Sequence, residues 1–229
     1  MSDKEQDAYL EAGVRPARQR RSRETRDKIL RALENLLERK PFDEMTVAEL
    51  AAEAGLSVGA VYRRFENKDA LVPVIFEIYR ARAAEFMEKA RAAIDPESAG
   101  LRDIIRQIMR AAHGFLSEQA HIIRATHLYS RLRPDAVEPD RTGLLEEGIE
   151  SYRALLARYG EEIRRADLDR TARYFFYFVN AILLEKCLYP AHPPGLVVAE
   201  DGDAFADEMA DLLFGYLTTP DQGRKPITQ

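Results

Sequence analysis

The sequence holds one cysteine, Cys187, so no intramolecular disulfide can form and a reducing compartment fits. Its opening stretch, MSDKEQDAYLEAG, has no apolar segment of the kind a secretory signal needs. No run approaches the ~18 consecutive apolar residues that span a bilayer. These absences point to a cytoplasmic protein with no membrane partner. Strand-like patterning is nearly missing too, and Gly195–Val198 (GLVV) is its one hint. There is no internal repeat, no low-complexity segment, no P-loop and no Gly-x-Gly-x-x-Gly. The four histidines, His113, His121, His127 and His192, form no His-x-x-x-His, and no Cys-x-x-Cys exists. Glu118-x-x-His121 is a single copy of a pattern that di-iron bundles use twice. Cys187 lies in an apolar helix and reads as an inert core thiol. No metal, no cofactor and no catalytic residue is expected, and the chain does not read as an enzyme.

What is present is charge, and it is unevenly spread. The 229 residues carry a formal charge of −5, which alone argues against a nucleic-acid partner. Yet from Arg15 to Arg31 eight basic residues face two acids, while residues 76–229 hold 20 basic and 25 acidic residues. A basic end on an acidic body implies that one end meets a polyanion. Residues 1–20 read as a mobile basic arm.

Hydrophobic period gives the plan. Ile29, Leu30, Leu33, Leu36 and Leu37 recur at helical spacing from about Ser22 until Pro41. Thr46–Glu49 (TVAE) is a capping box that opens a second helix, which Gly55 ends in a left-handed conformation. Leu56 plugs the turn, and Ser57 caps a third helix running to about Phe65. Asn67 caps a long helix from Lys68 to about Ile94, with Pro73 a potential kink in its early turns. After the Asp95–Gly100 linker, helices are expected near 98–118, 120–132, 139–159, 167–188 and 202–217. The fold class is therefore all-α. A helix-turn-helix domain is expected at 21–67 and a larger helical domain at 68–229.

The stretch Ala51–Phe65 carries the functional signal. Two short helices with a glycine turn form a helix-turn-helix, whose second helix enters a major groove. Gly59 sits in that helix at a cost of about 1 kcal/mol relative to alanine. A side chain there would hold the backbone away from DNA, which gives a physical reason to accept the cost. Tyr62 shares the face of Gly59 and can donate to a phosphate. Arg63 and Arg64 add charge. Lys68 fits its own helix dipole poorly and makes sense if it faces an anion.

The run Thr46-Val47, Leu50-Ala51, Ala54 through Tyr62, Phe65, Lys68 and Leu71 resembles the TetR family of bacterial transcription regulators, over about residues 22–75. The resemblance implies a homodimer of nine or so helices whose first three bind operator DNA. It also implies a small ligand in the C-terminal core that alters the spacing of the DNA heads. Thr46, Ser57, Gly59, Tyr62 and Lys68 match family positions that touch backbone phosphates. Val58, Gly59, Ala60 and Arg63 match positions facing bases or the groove wall. Val58 and Ala60 depart from the polar residues common there. They cannot hydrogen-bond bases, and contact with thymine methyls is the expectation, with Arg63, Arg64 and shape readout supplying more specificity.

The remainder resembles the family only in plan. Ala172–Tyr189 is apolar on nearly all sides, which calls for burial on both faces. With the stripe Phe205, Met209, Leu212, Leu213 and Tyr216, it forms the expected homodimer interface, helices 167–188 and 202–217. His113, Phe115, His127, Tyr152, Tyr174, Phe175, Phe178 and Asn180, a few polar groups dispersed among aromatics on apolar helices, suit a small apolar ligand held by a few hydrogen bonds. The reading is a DNA-binding regulator that holds a palindromic operator as a dimer and is released by that ligand. The alternative is a helical interaction protein whose basic arm binds a non-DNA acidic partner.

Overall fold

The structure, a computed structural model, describes residues 16–93, 99–132, 138–192 and 195–221. Every regular element among them is helical. The chain divides into two compact units, one ending at Ile75 and the other beginning at Phe76. This is later than the expected boundary at 67, because Leu71, Val72 and Ile75 are buried residues of the first unit.

In the first unit, α1 spans Pro16–Arg39, α2 Val47–Glu53 and α3 Val58–Tyr62. Helix α1 starts inside the segment expected to be a mobile arm. Pro16 stands at its first position, where a missing N–H costs nothing, and Ala17, Gln19 and the arginines favour helix. Residues 1–15 of that arm lie outside the described residues. Ile29, Leu33, Leu36 and Leu37 form the buried stripe of α1 and Leu50, Ala51 and Val61 are the buried residues of α2 and α3.

Local chemistry sets each boundary. A 3-10 turn, Phe42–Glu44, follows α1. Thr46 and Glu49 then complete the capping box at the start of α2, each side chain meeting the other's backbone N–H. Gly55 has φ +64°, and the Gly55 and Leu56 N–H groups return to the carbonyls of Ala52 and Ala51 at 3.1 and 2.8 Å. That bond pair is a Schellman stop, which needs a residue comfortable at positive φ. Ser57 Oγ accepts from Ala60 N–H at 3.2 Å and caps α3. Lys68 stands at the N-cap of a 3-10 turn, Asp69–Leu71, rather than Asn67 capping a long helix, and Asn67 Oδ1 accepts from Ala70 N–H at 2.9 Å. Helix α4, Val72–Ala93, follows directly and crosses the division between units. Pro73 thus lies in its first turn, where its missing N–H is no loss.

The second unit adds α5 (Leu101–Glu118), α6 (Ala120–Leu132), α7 (Glu138–Ala157), α8 (Leu168–Leu188) and α9 (Gly202–Thr218). Residues 94–98, most of the expected linker, are not among those described. The core gathers Ile104, Ile105 and Met109 of α5, Phe175, Val179 and Leu183 of α8, and Ala206, Ala210 and Leu213 of α9. Helix α9 packs along α5. Arg102, Arg106 and Arg110 of α5 face Asp203, Asp207 and Asp211 of α9 as a ladder of ion pairs along this contact. Gly148 lets α7 approach α8, since a Cβ there would stand 2.5 Å from Phe176.

Two expectations change here. Gly195–Val197 is a 3-10 turn rather than a strand: Leu196 N–H bonds His192 O at 3.2 Å, and the Val198 carbonyl is taken by the Lys186 ammonium at 2.9 Å. The apolar stripe of α9 is also two stripes. Phe205 and Leu213 are buried with Ala206, Ala210 and Leu217, whereas Leu212 is 57% exposed and Met209 and Tyr216 are half-buried. The helix turns by about 100° per residue, so Met209, Leu212 and Tyr216 form a strip beside the core-facing one.

Candidate nucleic-acid interface and ligand cavity

The outward face of α3 is apolar and aromatic without being covered by its own unit. Val58 is 41% and Tyr62 51% exposed, and Gly59, Arg63 and Arg64 are exposed beside them. Ala60 is half-buried and Ser57 exposed. A Cβ added at Gly59 would meet only the tip of Arg63, at 3.9 Å. Nothing inside the protein requires glycine at this position.

Gly55 to Gly59 spell Gly-x-Ser-x-Gly, the letters of a hydrolase nucleophile elbow. The structural context differs. The stretch joins helix to helix rather than strand to helix, and all four histidines lie in the second unit.

Two of the expected phosphate contacts have internal partners. The Thr46 hydroxyl donates to Glu49 Oε2 at 2.9 Å, and Thr46 N–H reaches the same oxygen at 2.8 Å. Lys40, 2.6 Å from Glu49 Oε1, together with the Thr46 donors holds the Glu49 carboxyl at about 2, below its ordinary 4.5. Lys68 is not in the first turn of α4, as expected. It precedes the 3-10 turn, and its ammonium donates to the carbonyls of Phe42, Asp43 and Met45 at 3.1, 2.9 and 3.2 Å. Sequence reading missed this because backbone carbonyls carry no residue signature.

In the second unit a cavity of about 820 Å³ opens among α4, α5 and α7. Phe86, Met87 and Ala90 of α4, Ile108, Ala111 and Ala112 of α5, and Tyr152 and Leu155 of α7 give it apolar walls. Arg91, Gln107, Glu146, Glu147, Glu150, Ser151 and Arg158 supply polar groups. Phe86 is backed by Phe115, stacked at 4.4 Å and 13°. Tyr152 is held edge-on by Phe175 at 5.0 Å, and burial pushes its hydroxyl up to about 12.

Of the eight expected ligand residues only Tyr152 lines this cavity. His113 is buried against Phe205, with Nε2 3.0 Å from Asp201. His127 Nδ1 is 3.0 Å from the Tyr189 hydroxyl. Phe175 is core, and Asn180 donates to the Phe176 carbonyl one turn back at 2.8 Å. Tyr174 and Phe178 pack on each other at 5.9 Å towards the outside of α8. His113, His127, Phe175 and Phe178 are thus taken up by packing between elements, while Tyr174 and Asn180 make these contacts along α8 itself. Among the described residues no group of His, Cys, Asp and Glu is arranged to hold a metal, and no helix is long and apolar enough to cross a membrane.

Comparison with known proteins agrees with this geometry. Residues 29–75 match the family described as bacterial regulatory proteins, tetR family. The chain is 30% identical over 199 residues to the uncharacterized HTH-type transcriptional regulator YerO of Bacillus subtilis (strain 168), covering 83% of this chain. It spans 64% of that relative's length. Among solved structures, a tetR-family regulatory protein from Rhodococcus RHA1 superposes with a TM-score of 0.61 at 15% identity, over 86% of this chain and 98% of that one. The TetR-family regulator PfmR from Thermus thermophilus gives 0.58 at 21% identity, over 81% and 96%. The helix-turn-helix segment thus matches the TetR family of bacterial regulatory proteins, and the all-helical second unit shares the fold of these structures.

Proposed function

We propose that this protein is a DNA-binding transcription regulator of the cytoplasm, a repressor that grips a palindromic operator as a homodimer and lets go when a small apolar ligand binds. The observation that carries the DNA-binding part is the outward face of α3: an exposed glycine with no internal cause, flanked by exposed Val58, Tyr62 and Arg63. Ser57, Gly59 and Tyr62 contact phosphates in this reading, while Val58, Gly59, Ala60 and Arg63 face the bases or the groove wall and Arg64 adds to specificity. Phosphate contacts set register, and apolar contacts to thymine methyls give sequence preference.

The dimer rests on surface that the second unit leaves uncovered. Tyr174 and Tyr177 of α8 are 43% and 65% exposed, and Leu212 of α9 is 57% exposed. A second copy on a two-fold axis covers such faces. The cavity's volume and mostly apolar walls suit a drug-sized ligand, with Tyr152 as a half-buried donor. Helix α4 contributes Val72 and Ile75 to the first unit and Phe86, Met87 and Ala90 to the cavity wall. One helix thus carries residues of both functions.

The test is selection from a random duplex library with the purified full chain. Recovery of an inverted repeat, with half-site centres about one helical turn or a multiple of it apart, supports the reading. Enrichment of no sequence removes it.

A further inference from the structure

Lys68 closes a loop around the helix-turn-helix. The residues it holds, Phe42, Asp43 and Met45, lie just before α2, and Lys68 itself lies just after α3. Everything that faces DNA in the proposed function falls between these two ends. An ammonium has three protons and no acceptor. Here three carbonyls stand at hydrogen-bonding distance from it, and the ammonium also sits 5.0 Å over the Phe42 ring. A phosphate would have to displace one of these partners.

The bond to Met45 matters most for the neighbouring cap. Met45 is 2% exposed and directly precedes Thr46, whose extended backbone places its N–H and hydroxyl on Glu49. Fixing the Met45 carbonyl fixes the peptide that leads into this cap. The Met45 N–H is already bonded to the Phe42 carbonyl at 3.1 Å, so the turn is pinned on both sides.

We infer that Lys68 is a positioning residue, an internal clasp that sets α2 and α3 for DNA by binding the Phe42–Met45 turn, and not a phosphate contact. Its effect on affinity rests on the DNA-binding reading; the clasp itself does not. A clasp and a phosphate contact respond differently to substitution. Arginine keeps the charge but presents a planar fork instead of three convergent protons. Loss of one phosphate contact lowers the slope of log affinity against log salt by about 0.9.

The experiment uses the full chain and a duplex enriched from a random library by the unsubstituted protein. For Lys68→Met and Lys68→Arg alike, binding weakens by about tenfold, while the salt slope stays that of the unsubstituted protein. A slope that falls by about one in Lys68→Met and is restored in Lys68→Arg overturns the proposal. Should either variant fold poorly, the unsubstituted protein still decides. With 15N-labelled lysine and 13C-labelled carbonyls, the Lys68 ammonium keeps its scalar couplings to the three carbonyl carbons when duplex is added. Replacement of any of them by a coupling to phosphorus contradicts the clasp. If the unsubstituted protein enriches and binds no duplex, the regulator reading fails, and the couplings in free protein still report on the clasp.

Discussion

The helix caps of the first unit join near neighbours, whereas pairs that tie the helices of the second unit together reach across long stretches of chain. In the first, Thr46 caps through Glu49 and Ser57 through Ala60, each three residues on. In the second, His113 meets Asp201 across 88 residues and Arg102 meets Asp211 across 109. The difference separates two ways of exposing apolar surface. Helix α3 can leave Val58 and Tyr62 outside because its ends are fixed by caps and need little burial. The long helices of the second unit hold together by burial, so what they leave outside, at Tyr174, Tyr177 and Leu212, is surface in excess of their own core.

The sharpest break of this comparison is in the core of the second unit. Phe175→Ala removes a ring that is fully buried and packed against Tyr152. It is expected to cost about 3–5 kcal/mol, read as a lower urea midpoint. The matching break in the first unit is conformational. A Cβ at Gly55 meets nothing within 4 Å, so Gly55→Val acts only through φ +64°. A cost of about 1–3 kcal/mol follows, and Gly55→Asn, which tolerates this conformation, recovers most of it.

Acid sharpens the comparison next. The folded carboxyl of Glu49 is depressed to about 2 from 4.5. Its contribution is therefore present above pH 4.5 and lost as pH falls towards about 2. Glu49→Gln flattens that acid limb, measured by amide exchange at Leu50 and Ala51. The Arg102–Asp211 and Arg110–Asp207 pairs lower their aspartates in the same sense. The smallest expected effect is that of Tyr152→Phe. Its hydroxyl has no hydrogen bond among the described residues, so stability moves by no more than about 0.5 kcal/mol. Binding of an apolar ligand with a hydrogen-bond acceptor weakens in the same variant, by calorimetry.

These contrasts explain what could be read in advance. The caps at Thr46 and Ser57 and the stop at Gly55 are written in residue types at fixed short spacing, and the structure has each of them, whereas Asn67 bonds Ala70 N–H in a 3-10 turn instead of capping the long helix. The clasp of Lys68 was not legible, because its partners are carbonyls 23 to 26 residues away. In the second unit, histidines and aromatics stood out in the sequence, but they are engaged in core and pair contacts. Beside Phe86 and Tyr152, the cavity is walled largely by alanines, a methionine and charged residues such as Glu146 and Arg158, which look like ordinary amphipathic helix surface. Among the described residues only the three-dimensional arrangement of α4, α5 and α7 brings them together.

The central claim is that the outer face of α3 belongs to DNA, and Gly59 tests it most directly. The substitution Gly59→Ala meets only the tip of the Arg63 side chain, at 3.9 Å, and raises helix stability by up to about 1 kcal/mol. Titrating this variant and the unsubstituted protein against the same enriched duplex, by fluorescence anisotropy alongside thermal melts, separates folding from binding. A variant that melts at the same or a higher temperature yet binds duplex more weakly is the predicted result. A variant that binds as well as or better than the unsubstituted protein would contradict the account.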